Sequence, residues 1–468
     1  MARSLVRVIV AMFTALVFLL VQSAFWSPNI STAIVAAVVG LVVIAYFRPH
    51  NALLVLAALA PLGGVWSPLV SDRMRGAEAF VLAFLAGVLL RGWTLHYFKN
   101  VELDRLRIAV LVFGVVVAMS CALQLGARDA APLDVLGYVG ERYLISTGGY
   151  GMIFSAMLLL EGLMLLVYAV HYCRLQPGFA WRLVRMLVIA GVSAGVVNIL
   201  FFVHELIETG QPSVYFKDFF LNRRWSAHVG DVNAAGSFFG MIMLTALGLA
   251  LTRTTHRVGW VCAGIVTGLA LWMTASRAAL IPAAIVTIVS SVRLLGPRSM
   301  IVKTAAIASL LVGLGLGTLY FSSRPMSVDA SVALMIRREF LATTGRMIRE
   351  NPIFGVGIGQ YSRWSTHFSS PELLAIYPRE NAHNNFAQIA GELGIPGLGA
   401  FLAVLVTCFR SAYLGWRYCH RDIVAPVLAG VVAFTVSCLG GHPLLVPEVA
   451  YPFWLALAVV AGSEAQDA

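Results

Sequence analysis

Apolar residues run along this chain in blocks of about 20, separated by short clusters of arginine, glycine and proline. A block of that length crosses the hydrocarbon core of a bilayer as a helix, whereas a membrane strand shows alternation instead. The blocks predict helices at about 5–24, 29–46, 51–66, 76–91, 106–124, 150–170, 183–203, 232–252, 258–275, 278–295, 301–321, 389–409, 423–440 and 450–462. The expected fold is an all-α polytopic membrane protein of about 12–14 transmembrane helices, forming one integral membrane domain over residues 1–468. Arg3 and Arg7 ahead of the first block resemble a signal peptide; because further blocks follow, the segment reads as an uncleaved first helix.

One long stretch, about 322–388, interrupts the blocks. Within it, 331–350 has Leu334, Phe340, Leu341, Met347 and Ile348 set between arginines, which predicts an amphipathic helix. Asn351-Pro352 ends it. The sequence GVGIGQY follows, with Gly355, Gly357, Gly359 and Tyr361. No strand-to-helix context makes this a dinucleotide fingerprint. Close backbone approach to a ligand and a plain turn are both open there.

Composition agrees with a membrane class. The chain is 59% hydrophobic and 12% charged, against about 25% charged in soluble domains. Six cysteines lie in or beside apolar blocks with no C-x-x-C pair, so neither a zinc site nor a disulfide framework is indicated. The net charge of +11 is almost entirely arginine. That bias suits bidentate phosphate binding, and equally an arginine-favouring codon usage.

Charge also orients the chain. With the N-terminus inside, the short connections holding Arg48, Arg91–Arg107, Arg174–Arg185, Arg253/Arg257, Arg293–Lys303 and Arg410–Arg421 are basic and cytoplasmic, as the positive-inside rule requires. Arg223, Arg224 and Arg277 then fall on the outer side. So do Arg324, Arg337, Arg338, Arg346, Arg349, Arg363 and Arg379 in the long loop. Arg277 stands in MTASRAALI, where an unpaired cation is costly, so either a compensating partner or snorkelling to the headgroups is expected.

No D-x-D pair, no Gly-x-x-x-x-Gly-Lys and no serine elbow is present. What gathers on the outer side is arginine, together with a histidine flanked by amides in NAHNNFAQIAGELGIPG, 381–397. Arginines suit a substrate that carries its own anionic leaving group, and a histidine titrating near 6.5 suits base work. His228, Asp231, His442 and Glu448 also fall near the outer boundary. Glu161 lies mid-helix, where Asn198 or an arginine of a neighbouring helix is the expected partner.

Four segments in order carry a resemblance. RWSAHVGDVNAAG supplies Arg224, Ser226, Gly230 and Asn233; TASRAA supplies Arg277; ENPIFGVGIGQY follows; and His383-Asn384 precedes Gly394 and Gly397. Together they resemble the O-antigen ligase and polymerase superfamily of membrane glycosyltransferases, with departures at Asp231-Val232 (Asn-Pro in the family) and at Ala275 and Ala278 (glycines in the family). The resemblance implies a GT-C-like membrane fold with the long loop periplasmic. It implies inverting transfer of a glycan from undecaprenyl diphosphate to a lipid-linked saccharide acceptor, lipid A–core for a ligase or a growing glycan for a polymerase. His383, Arg224 and Arg277 would be catalytic. Arg223, His228, Asn233, Arg346, Gly357, Tyr361 and Asn384 would contact substrate. No cofactor, no metal and no nucleic acid is expected, and the site would face the periplasm of a bacterial inner membrane. An anion transporter is the rival from another class. It would favour polar helices at the midplane, and here the polar residues gather at one end.

Overall fold

The computed structural model describes residues 14, 17, 31–70, 75–95, 104–127, 151–215, 218, 224–253, 255–294, 330–418 and 421–462. The predicted helices at 5–24 and 301–321, and Arg223 and Arg324, lie outside them. In chain order the helices are α1 (Thr32–Phe47), α2 (Pro49–Leu59), α3 (Gly63–Val70), α4 (Gly76–Thr94), α5 (Arg105–Gly126), α6 (Gly151–Leu175), α7 (Phe179–Glu208) and α8 (Val232–Thr252). There follow α9 (Arg257–Met273), α10 (Arg277–Leu294), α11 (Ala330–Glu350), α12 (Tyr361–Phe368), α13 (Pro371–Ile376), α14 (Asn385–Tyr418), α15 (Arg421–Ser437) and α16 (Pro447–Ala461). No strand occurs among the described residues. Among the described residues, seven helical segments are long and apolar enough to cross a membrane, and five shorter apolar helices accompany them. The protein is an all-α, multi-pass membrane protein.

Helix α16 is the central post. Every one of its residues is buried, and it packs against α6, α14, α15 and α7. Helix α4 is buried over most of its length against α1 and α2, while α5 and α9 show much of their apolar surface outward. Outward leucines and valines suit a lipid solvent, in which an exposed apolar side chain costs nothing.

Helix direction sorts the polar groups to two ends. At one end Arg91 donates to the Tyr46 carbonyl at 2.7 Å, Arg174 meets Asp104 at 2.5 Å and Arg253 meets Asp422 at 2.6 Å. At the opposite end lie the starts of α4, α8, α10, α14 and α16 and the segment after α15.

Helix α14 explains the glycine-rich stretch. Gly394 has φ +71 inside the helix, and the break leaves carbonyls without helical partners because Pro396 has no N–H. Ile395 N–H turns instead to the Pro352 carbonyl at 2.9 Å, Val356 N–H fills the Gly391 carbonyl at 2.8 Å, and Gly357 N–H fills the Glu392 carbonyl at 2.9 Å. A Cβ on Gly394 would sit 2.4 Å from the Ile353 carbonyl oxygen. The kink and the loop after α11 are therefore one joint, which fixes the amphipathic segment onto the membrane bundle.

Candidate functional site

Asp231 caps α8, accepting the N–H groups of Asn233 at 2.8 Å and Ala234 at 3.1 Å. That cap presents the Asn233 amide at the helix end. Its Oδ1 accepts from Arg224 Nη2 at 2.7 Å and from Ser276 Oγ at 3.0 Å. Arg224 Nε also donates to the Thr274 carbonyl at 3.3 Å. Two segments about forty residues apart are thus tied side by side, immediately before Arg277. In the turn between them Ala275 holds φ +48, a left-handed conformation where the resembling family carries glycine.

Arg277 is the first residue of α10 and is exposed. A helix start already carries partial positive charge and Arg277 adds to it, an arrangement that suits an anion. Arg337, projecting from α11, is close enough to feel it. Burial and the Arg277 charge both hold the Arg337 guanidinium below its ordinary pKa.

His383 precedes α14 with φ +47, an uncommon backbone state for a non-glycine residue. Its neighbours hold it there. Asn384 Oδ1 caps α14 by accepting from Phe386 and Ala387 at 2.9 and 3.1 Å, and Gln388 Oε1 accepts the Ala382 N–H at 2.9 Å. Asn385 N–H donates to the Cys438 carbonyl at 2.8 Å, and Leu444 N–H donates to Asn385 Oδ1 at 3.2 Å. These bonds draw the segment after α15 across the start of α14 and bring His442 to His383, with ring centroids 4.9 Å apart. His442 Nε2 in turn lies 3.4 Å from Asp231 Oδ2, and His383 Nε2 lies 3.7 Å from Glu380 Oε1.

Burial depresses the His383 pKa most, the charges of His442 and Arg337 depress it further, and Glu380 and Asp231 oppose them. The net direction is downward. His383 is therefore a neutral imidazole near pH 7, the form that accepts a proton.

Arg224, Asn233, Arg277 and His383 thus meet at one end of the bundle, joined by Ser276, Arg337, His442 and Asp231. The other expected substrate contacts are placed elsewhere. Tyr361 is fully buried, its hydroxyl against Thr344 Oγ1 at 2.7 Å, and burial pushes its pKa up to about 12. Arg346 pins the outer segment through Glu339, Thr343 and the Phe368 carbonyl. Gly357 is turned to the α14 joint and to Gln124 of α5. His228 is fully buried beside Phe239, bonded to Asn198 at 3.0 Å, and burial drives its pKa down to about 3. Asn384 is a helix cap. Each of these five satisfies the architecture that surrounds the site, which is why its residue type suited the motif without its side chain reaching the cluster.

Glu161 also differs from expectation. Its carboxylate takes the Tyr451 hydroxyl and lies near Glu78, while Asn198 serves His228. Glu392 accepts the N–H groups of Gly359 at 2.9 Å and Tyr361 at 3.3 Å, which fixes the joint.

The fold is that of a multi-pass membrane protein with arginines and an imidazole gathered at one end of its helical bundle. Residues 240–402 match the family model described as O-antigen ligase, so this stretch is similar to the O-antigen ligase and polymerase family. Members of that family are glycosyltransferase-like ligases and polymerases acting on lipid-linked glycans. No curated protein matches the chain.

Proposed function

We propose that this protein moves a glycan from undecaprenyl diphosphate to a saccharide acceptor, lipid A–core, at the periplasmic face of a bacterial inner membrane. The observation that carries the reading is the meeting of Arg224, Arg277 and Arg337 with His383 at the end of the bundle opposite the paired basic groups. The paired arginines Arg91, Arg174 and Arg253 at that other end fit the cytoplasmic side by the positive-inside rule, so the site end is periplasmic.

The acceptor hydroxyl gives its proton to the His383 imidazole as its oxygen attacks the anomeric carbon of the donor sugar. The bond from that carbon to the phosphate oxygen breaks on the opposite face, and its electron pair stays on the diphosphate. Arg277, Arg224 and Arg337 stabilise the charge developing there, and the anomeric configuration inverts. Asn233 and Ser276 hold Arg224 in place.

The test is a transfer assay with purified protein in nanodiscs, undecaprenyl-diphosphate-linked glycan and lipid A–core, without ATP. A single capped acceptor is the expected product. A ladder of glycan lengths would make the protein a polymerase with the same chemistry, and no product at all would overturn the reading.

A further inference from the structure

Resting on that proposed transfer, we infer that the cavity beside His442 seats the reacting sugar of the acceptor, and that Gly230 keeps it open. The cavity measures about 510 Å³, within the about 300–1,000 Å³ range of small-ligand sites. Its wall includes His442 and Asp231 but none of Arg224, Arg277 and Arg337. It therefore reaches one member of the histidine pair, His442, whose ring lies beside that of His383, without sharing the arginines.

The chemistry of the wall selects the occupant. Asp231, Glu392 and Glu448 line it with a single arginine, Arg75, so the wall offers a diphosphate one cation where the clamp offers three. Carboxylates that accept and a guanidinium that donates are suited to the hydroxyls of a neutral sugar, and unsuited to an alkyl chain. The Arg75 guanidinium lies over the Phe154 ring at 5.3 Å, which holds its donors at the cavity wall.

Gly230 carries the argument. Its φ is outside the left-handed region, and a Cβ built on it would meet nothing within 4 Å. Neither the backbone nor packing calls for glycine there. Gly230 lines the cavity, and the space beside its Cα is open. Arg75, just before α4, and Phe154 of α6 precede the family-matched stretch 240–402, so part of the cavity wall is set outside that stretch.

The experiment uses the full-length protein in nanodiscs with two probes, undecaprenyl diphosphate without glycan and the core oligosaccharide released from lipid A. Gly230→Leu is expected to weaken oligosaccharide binding and raise the acceptor KM by tenfold or more, with lipid-diphosphate binding and donor KM unchanged. Gly230→Ala should fall between. Arg75→Gln should raise the acceptor KM alone, and Arg277→Lys should do the converse, weakening the lipid diphosphate and sparing the oligosaccharide. An unchanged acceptor KM in Gly230→Leu, or a raised donor KM, overturns the assignment. Oligosaccharide binding is read directly, so a wild-type protein that binds the saccharide in a Gly230-dependent way yet transfers nothing would overturn the proposed function and leave the cavity's assignment standing.

Discussion

The rings of His383 and His442 lie 4.9 Å apart, centroid to centroid, and the charge of one lowers the pKa of the other. His383 must be neutral to take a proton, so activity falls as pH drops through its pKa. Because burial, His442 and Arg337 hold that pKa below 6.5, the acid limb of kcat/KM should have its midpoint below 6.5. His442→Gln removes the ring whose charge lowers the His383 pKa, so that pKa rises and the limb shifts to higher pH. A pH profile unmoved by His442→Gln would remove this coupling from the account.

Asn233 Oδ1 takes hydrogen bonds from Arg224 and Ser276 together. Hydrogen bonds to charged groups are worth about 1.5–3 kcal/mol, so an unanchored Arg224 should bind the diphosphate about tenfold more weakly. Asn233→Leu is expected to raise the donor KM by that factor with the acceptor KM unchanged. Steady-state kinetics with both substrates varied would check it, and an unaltered donor KM would contradict it.

Ala275 sits at φ +48 in the turn before Arg277. The left-handed region costs a non-glycine residue about 1–2 kcal/mol, and the added flexibility of glycine returns about 0.5–1 kcal/mol of that. Ala275→Gly should therefore stabilise the protein slightly, and Ala275→Val should destabilise it. Thermal melting in detergent would rank the three, and a lower melting temperature for Ala275→Gly would refute the strain.

His228 is buried as a neutral ring, its pKa down to about 3. The unfolded chain binds a proton near 6.5, so the folded form holds fewer protons between the two values and stability falls as pH drops through that window. The slope is about 1.4 kcal/mol per pH unit. His228→Gln loses some stability at pH 7.5 but should show a shallower decline toward pH 5 in melting experiments. An equal decline would mean that the imidazole titrates freely.

The helices were legible because lipid imposes length and apolarity together. Residues 232–252 read off as a block are α8 to the residue, and 331–350 became α11. Arg224, Arg277 and His383 were legible as a set from four short motifs. Arg337 was not singled out, since one arginine among seven in a long loop has no distinguishing pattern. Arg75 gave no signal either, because only the return of α16 past the start of α4 brings Glu448 near it. Tyr361, Gly357 and Asn384 illustrate the converse. A motif fixes residue types at a joint as firmly as at a reacting centre, and spacing alone does not separate the two.

The most direct measurement is single-turnover transfer by His383→Ala, reconstituted beside wild type, with undecaprenyl-diphosphate binding measured on the same samples. Loss of the general base should slow transfer by about 10²–10⁴-fold while lipid-diphosphate binding persists. Transfer at the wild-type rate in that variant would contradict the account.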